Sequence, residues 1–310
     1  MKLTRVLLTK TTTVPEDFGA AASGARSPLV DALDALGRAE SLDGVATKVR
    51  RVVRALPLGP LRDVLHGRQA GHPLHPALVQ VPVGAWLSAA VLDVLPGGRR
   101  GARVLVGVGT VAAVPAALAG WVDWAEQHEQ QMRTGLVHAG CNVAAVTLYA
   151  GSWAARGRRP GLGRLLGFAG LVAAGTGGLV GGHLAYRQGA GANKAEPVPH
   201  LVEPGWHTIG RTGDFPLGEP VRHLLGEVPL LVVRAEGDAV SVLADRCSHA
   251  SGPLSEGEVA DGCVTCPWHG SVFRLSDGWN VAGPATAPQP CFETRVDADG
   301  TVSVRLPDAG

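Results

Sequence analysis

Charge is scarce in this 310-residue chain. Asp, Glu, Lys and Arg make up 18% of it, against about 25% in ordinary soluble domains, while 45% of the residues are hydrophobic. Disorder and a wholly water-exposed fold are both disfavoured. Cysteine is sparse and odd in number, five in all, which does not suit a disulfide framework of the secreted type. The opening run MKLTRVLLTKTTTVPEDF lacks an apolar stretch of leader length, so no cleaved signal is expected. Arg50-Arg51, fifty residues in and followed by Arg54 and Arg62, does not read as a twin-arginine signal. There is no dinucleotide fingerprint and no C-x-x-C-H haem attachment. Glycine is in excess, 43 residues, but without the fixed period of collagen or a repeat array.

The formal net charge of +1 hides an asymmetry. Residues 200–310 carry 7 basic and 15 acidic side chains, leaving 21 and 12 for residues 1–199. That division suggests a basic membrane-proximal part and an acidic part that faces water or a basic partner. Nucleic-acid binding is not indicated.

Residues 1–71 are polar and mixed, with helical periodicity from Val30 to Leu56 ended by Pro57 and Pro60. Lys48, Arg50, Arg51, Arg54 and Arg62 gather there, and the pattern fits an amphipathic helix on anionic headgroups as well as one packed on its own protein. Four apolar segments follow at 76–95, 102–122, 134–155 and 163–186, each close to the roughly 20 residues that cross a hydrocarbon core. Trp86, Trp121, Trp124 and Trp153 lie within them or near their ends, in partial accord with an aromatic belt. Gly177, Gly178, Gly181 and Gly182 give the last segment small-xxx-small spacing, the mark of a helix packed closely on a neighbour. After a Gly/Pro-rich linker the pattern changes to short runs with turns between them: 230–233, 239–243, 262–266, 272–275, 292–296 and 301–306. Asp297-Ala298-Asp299-Gly300 joins the last two as a hairpin. The fold class expected is multidomain, an α-helical four-span transmembrane bundle followed by an all-β antiparallel domain. The boundaries are 1–71 for the polar region, 72–187 for the bundle, 188–204 for the linker and 205–310 for the β domain.

The residues that carry chemistry are Cys247-Ser248-His249 and, sixteen residues on, Cys266-Pro267-Trp268-His269. Two loops each offer one thiolate and one imidazole, a set that suits two sulfide-bridged irons with the cysteines on one and the histidines on the other. The pattern C-x-H, sixteen residues, C-x2-H resembles the Rieske iron-sulfur signature. The intervening PLSEG at 253–257, His269-Gly270 with Phe273, and Gly283-Pro284-Ala285 with Pro288 and Pro290 agree with it. The resemblance covers residues 205–306 and implies a 2Fe-2S cluster held by Cys247, His249, Cys266 and His269. A mononuclear Cys2His2 zinc site groups its ligands differently, and Cys263-x2-Cys266 has no second pair, so Cys263 and Cys291 read as core thiols. Respiratory members of the family have an extra cysteine in each loop, where this chain has Gly252 and Trp268. Ser271 keeps a hydroxyl for a cluster sulfur, while Phe273 stands where the respiratory type has a tyrosine. The site is therefore similar to ferredoxin-type members, with a potential expected in the lower part of a range running roughly from −150 to +300 mV.

Rieske oxygenases have a second domain with a two-histidine, one-carboxylate iron site. The nearest pattern here, Asp63, His66 and His72, precedes the apolar segments and is not expected to hold iron. Residues 66–187, with Gly71-His72-Pro73-Leu74-His75-Pro76 and Gly182-His183-Leu184, also resemble a bacterial four-helix membrane family of unknown function. Following the chain through four spans brings His75, His128, His138 and His183 to the face that carries the β domain. Two of His75, His138 and His183 are candidates to ligate a b-type haem or to line a quinone site; helix-end hydrogen bonding is the other reading. Asp93 lies at the opposite end, and Cys141 reads as a packing residue.

Arg99, Arg100, Arg103, Arg156, Arg158, Arg159 and Arg164 weight the opposite-face loops, which by the positive-inside rule puts the β domain outside. The missing twin-arginine signal and the basic N-terminal stretch place it in the cytoplasm, and that is the orientation expected. The function expected is that of a membrane-anchored electron carrier in the bacterial cell membrane, surrounded by lipid. It passes single electrons between a donor and an acceptor, with a basic reductase or oxidase as partner. Whether the chain is itself an enzyme is left open. A redox- or iron-sensing scaffold and a subunit of a membrane oxidoreductase are the alternatives.

Overall fold

The computed structural model describes residues 27–307. The opening run read above for a leader, and the last three residues of the expected 205–310 domain, lie outside the described residues. The single N-terminal helix expected from Val30 to Leu56 is two: α1 (Pro28–Gly37) and α2 (Asp43–Ala55), with a 3-10 turn at Glu40–Leu42 between them. The break falls at Gly37, whose carbonyl accepts from Arg133 Nη1 at 3.1 Å. A Cβ there would stand 3.1 Å from the Gln188 amide. α3 (Leu61–His66) ends on Gly67 in the left-handed region, φ +81°, the usual glycine stop for a helix.

The apolar segments form α4 (His75–Leu78) and α5 (Gln80–Val94), then α6 (Arg99–Trp124), α7 (Glu129–Ala155) and α8 (Pro160–Gly182). The last runs on through a π turn at His183–Arg187. Among the described residues three stretches are long and apolar enough to cross a membrane, His75–Val94, Arg99–Trp124 and Pro160–Arg187. α7 has the length, 27 residues, but opens on Glu129-Gln130-Gln131 and Arg133 and carries His138 and Asn142. The glycines of α8 explain how closely it meets α7. An added Cβ at Gly170 would lie 3.0 Å from the Tyr149 ring, at Gly177 3.0 Å from the Asn142 amide and at Gly181 2.9 Å from the His138 ring. Gly178 and Gly182 have open space instead, so only half of the expected glycine interface is packed.

The far end of the bundle is pinned by charge. Arg156 makes two 2.6 Å bonds to the carboxylate of Asp93, and both side chains are almost wholly buried. Trp86 does not join an aromatic belt: it is buried and stacked on Tyr149 with centroids 4.2 Å apart. Trp124 is also buried and donates from Nε1 to Met132 O at 2.9 Å. Trp153 is the exposed one, under Arg103.

The C-terminal part has two antiparallel sheets. The first has the order β1-β10-β9-β4-β3-β2, the second β5-β6-β7-β8. The strands are β1 (His207–Arg211), β2 (Pro220–Leu225), β3 (Val228–Arg234), β4 (Val240–Ala244), β5 (Glu258–Ala260), β6 (Cys263–Thr265), β7 (Val272–Arg274), β8 (Asn280–Ala282), β9 (Cys291–Val296) and β10 (Thr301–Arg305). All six expected runs are strands. The expected hairpin joins β9 to β10, closed by Asp297 N to Thr301 O at 2.9 Å and by Gly300 at φ +82°. Ile209, Leu230, Val232, Val242, Phe292, Val302 and Val304 build the core of the large sheet. Leu231, Val233 and Leu243 turn to the other side and pack with Leu254, Val264, Phe273 and Ala285 of the small sheet and its loops. Cys247 and Cys266 are part of that second core. Alternation along β3 thus serves both cores at once.

Candidate metal centre

Two loops project from this second core. The first leaves β4 at Asp245 and is shaped by its own carboxylate: Asp245 accepts from Ser255 N at 2.6 Å and from the Ser255 hydroxyl at 2.9 Å. Gln289, fully buried, donates from Nε2 to Ala244 O and Arg246 O at 2.7 and 2.6 Å and accepts from Ser248 N at 3.1 Å. The second loop runs from β6 to β7, and Cys266 N donates to Ser271 O at 2.8 Å while Gly270 N donates to Cys266 O at 3.1 Å. The buried Ser271 hydroxyl oxygen accepts from Ala285 N at 3.1 Å, which leaves its own hydrogen to give. Gly283 lets the third loop close over the second: at φ +86° its Cβ would lie 2.5 Å from Gly270 O.

These loops bring the thiols of Cys247 and Cys266 close enough to shift each other's proton affinity, both buried. The rings of His249 and His269 stand 5.0 Å apart, edge to face. Nδ1 of each histidine is buried and has no hydrogen-bond partner, an arrangement that costs stability unless something else binds there. The S–H of Cys247 and the backbone N–H groups of Trp268 and His269 draw the Cys266 thiol down to about 6. Cys247, holding the shared proton in a buried site, is pushed up. Burial, reinforced by the neighbouring His269, pulls His249 to about 3, and burial pulls His269 to about 4. At neutral pH the site thus offers neutral imidazoles and a readily formed thiolate, the states in which both residues bind metal.

Among the described residues no three His, Cys, Asp or Glu side chains converge on one point. A mononuclear tetrahedral site requires that convergence, whereas two bridged irons require only one pair each. The place of the absent loop disulfide is filled by packing. A Cβ on Gly252 would lie 2.8 Å from Cys266 Sγ and 3.1 Å from Trp268, whose ring lies directly over that glycine. All five cysteines are free, with Cys263 and Cys291 half-buried.

The helical part meets this site. His128, just before α7, has its ring 5.9 Å from His269 and 5.5 Å from Trp268, and its Nε2 is 3.3 Å from Ala250 O. The linker adds Lys194 N to Ser248 O at 2.8 Å. α3 and the turn after it add Gly283 N to Asp63 at 3.3 Å and Arg68 to Asn280 O at 3.4 Å. Asp63, His66 and His72 do not converge: Asp63 faces Gly283, His66 is buried against Asp123 at 2.8 Å, and the exposed His72 bonds Pro73 O.

Of the candidate histidines in the helical part, His75 and His138 come together with rings 6.1 Å apart, while His183 lies 3.4 Å from Asp34. Nδ1 of His75 and of His138 bond Ala116 O and Gly177 O at 2.7 and 2.8 Å, and Asn142 Nδ2 is 3.1 Å from His138 Nε2. Both ring nitrogens of His138 are thus engaged within the helical part. The partner roles of His128, His66 with Asp123, and Gln289 were not legible in the sequence. Each depends on residues more than forty positions away.

Comparison with known proteins agrees with this geometry. Residues 205–293 match the Rieske [2Fe-2S] domain, and residues 71–194 match a family described as predicted membrane protein (DUF2231). Over 101 residues the chain is 37% identical to the anthranilate 1,2-dioxygenase ferredoxin subunit of Burkholderia cepacia, covering 33% of this chain and 92% of that protein. It is 33% identical over 97 residues to the 3-phenylpropionate/cinnamic acid dioxygenase ferredoxin subunit of Escherichia coli (strain K12), covering 31% and 89%. Among solved structures, a chain in the complex of reduced oxygenase and oxidized ferredoxin in carbazole 1,9a-dioxygenase is similar at 30% identity, with a TM-score of 0.31 over 34% of this chain and 96% of that one.

Proposed function

The chain belongs to the Rieske [2Fe-2S] family through residues 205–293, and from that membership we propose that it is a membrane-anchored, ferredoxin-like carrier of single electrons. The observation that carries this reading is the pair of buried, unpartnered Nδ1 atoms on the same two loops that bring the buried Cys247 and Cys266 thiols together. Cys247 and Cys266 would hold one iron and His249 and His269 the other, and the bound 2Fe-2S cluster supplies one-electron transfer. The protein's part is to keep the imidazoles neutral, the Cys266 thiol poised for deprotonation and water away. Trp268 over Gly252 shields the cysteine side. Ser271 has a hydroxyl hydrogen to offer a sulfur, and Phe273 has none. Fewer such donors hold the potential low.

In this reading α4–α5, α6, α7 and α8 cross the bilayer, with the polar side chains of α7 turned to neighbouring helices. Two features support a cytoplasmic β domain. Arg156 of the opposite face is neutralised by Asp93, and α2 brings Lys48 and Arg51 to the end where the β domain sits. The relatives are subunits of dioxygenase systems, so the partners proposed are a reductase as donor and an oxidising protein as acceptor. The acidic β domain favours a basic docking face on each.

Low-temperature EPR of the dithionite-reduced full-length protein tests the cluster. A rhombic signal with average g below the free-electron value, lost in Cys247→Ala and His269→Ala, is expected. A silent spectrum with stoichiometric zinc overturns the proposal. A midpoint above about +200 mV refutes the ferredoxin-like assignment. A C-terminal reporter found outside the cell overturns the orientation.

A further inference from the structure

Helix α2 has more apolar surface than its own protein covers. Ala46 and Val53 are buried against Trp124, Ala125 and Met132. Arg50 and Arg54 reach the same way, Arg50 Nε to Ala125 O at 2.7 Å and Arg54 to the carboxylate of Glu126. About 100° round the helix, Val45, Val52 and Leu56 form a strip at i, i+7 and i+11 that stays exposed, Val45 at 52% and Val52 at 65%. Helix α3 leaves Leu61 and Val64 exposed as well.

The basic residues divide along the same line. Arg50, Arg54, Arg62 and Arg133 at this end are all engaged in hydrogen bonds or ion pairs with the protein. Lys48 and Arg51, which flank the exposed strip, have no side-chain partner among the described residues. Two acidic groups at this end are committed elsewhere, Asp43 to Arg133 and Glu126 to Arg54. α2 packs where α6 ends and α7 begins, beside Trp121 and Trp124. If those helices cross the bilayer, that is the level at which hydrocarbon gives way to headgroups.

An apolar strip bordered by unpaired cations at that level matches an anionic lipid surface. We propose that α2 lies in the interfacial layer of the membrane, with Val45, Val52 and Leu56 among acyl chains and Lys48 and Arg51 on the phosphates of anionic phospholipids. The proposal rests on the membrane reading of the bundle given above.

Photo-crosslinking separates the two. p-Benzoylphenylalanine is placed singly at Val52, at Thr47 on the exposed non-apolar side of α2, and at Val111 on the exposed face of α6, in the full-length protein reconstituted with phosphatidylglycerol and phosphatidylcholine. The expected result is lipid adducts at Val52 and Val111 and none at Thr47. The Val52 yield should fall several-fold in phosphatidylcholine alone and in Lys48→Glu/Arg51→Glu, with the Val111 yield unchanged. Adducts at Val111 without any at Val52 overturn the proposal. So does a Val52 crosslink to residues 1–26 or to a second copy of the chain. Loss of lipid adducts at Val111 as well overturns the membrane reading itself, and this inference with it.

Discussion

The imidazole of His128, at the start of α7, stands 5.9 Å from that of His269 on the ligand loop between β6 and β7. One residue of the helical part therefore faces the histidine side of the candidate metal centre. A truncation here should act on access more than on assembly. His128→Ala is expected to keep its iron content while a small water-soluble reductant reduces it several-fold faster, as followed by stopped-flow bleaching of the visible bands. An unchanged rate means His128 does not shield that edge.

Gly252 is predicted to be intolerant of any side chain. Its Cβ would lie 2.8 Å from Cys266 Sγ and 3.1 Å from Trp268, and overpacking of this kind costs about 1–3 kcal/mol. Gly252→Ala should lower both cluster occupancy and melting temperature. Combining it with Trp268→Ala should recover only part of the loss, since the contact with Cys266 remains. Full occupancy in the single variant contradicts this.

The buried Asp93–Arg156 pair predicts an asymmetric mutational response. Removing one partner strands a buried charge, at a cost of about 3–5 kcal/mol, whereas an apolar replacement of both is far milder. Asp93→Leu should melt well below the native protein in detergent, and Asp93→Leu/Arg156→Met should recover most of the difference. If the double variant is as unstable as the single one, the pair is not the source of the loss.

Acid should weaken the cluster-free chain. Burial holds His249 near 3 and His269 near 4, below the ordinary 6.5, so the unfolded chain binds more protons than the folded one in that window. The stability from keeping both rings neutral is present above pH 6.5 and is lost as pH falls toward 4 and then 3. At pH 5 the loss is on the order of 1–2 kcal/mol for His249 and smaller for the more exposed His269, where solvent screens the effect. Thermal melting of the apoprotein at pH 7 and 5 checks it, and the drop should shrink in His249→Gln/His269→Gln.

Local signals in the chain foretold local structure well. The six expected strands formed because each alternates or runs apolar between turn residues, and the two Cys/His pairs set apart by their spacing are the ones the loops bring together. β2 escaped notice because Pro220 and Pro229 interrupt its hairpin pattern, and β5 and β8 because three residues carry no period. The break between α1 and α2 was hidden because Arg133, almost a hundred residues on, supplies the bond that stabilises it. His75, His138 and His183 are haem or quinone candidates from position alone, with helix-end hydrogen bonding as the other reading. The contact of Asn142 with His138 Nε2, one turn away on the same helix, was not legible from position.

The bond from Lys194 N to Ser248 O joins the linker to the residue between Cys247 and His249. A tether that ended in free chain would let the β domain swing without disturbing its loops. This one is bonded to the ligand loop itself, so a pull along the linker reaches the backbone next to His249. Load along the linker and the geometry of the candidate metal centre share one strut, and strain arising in the helical part has a short path to it.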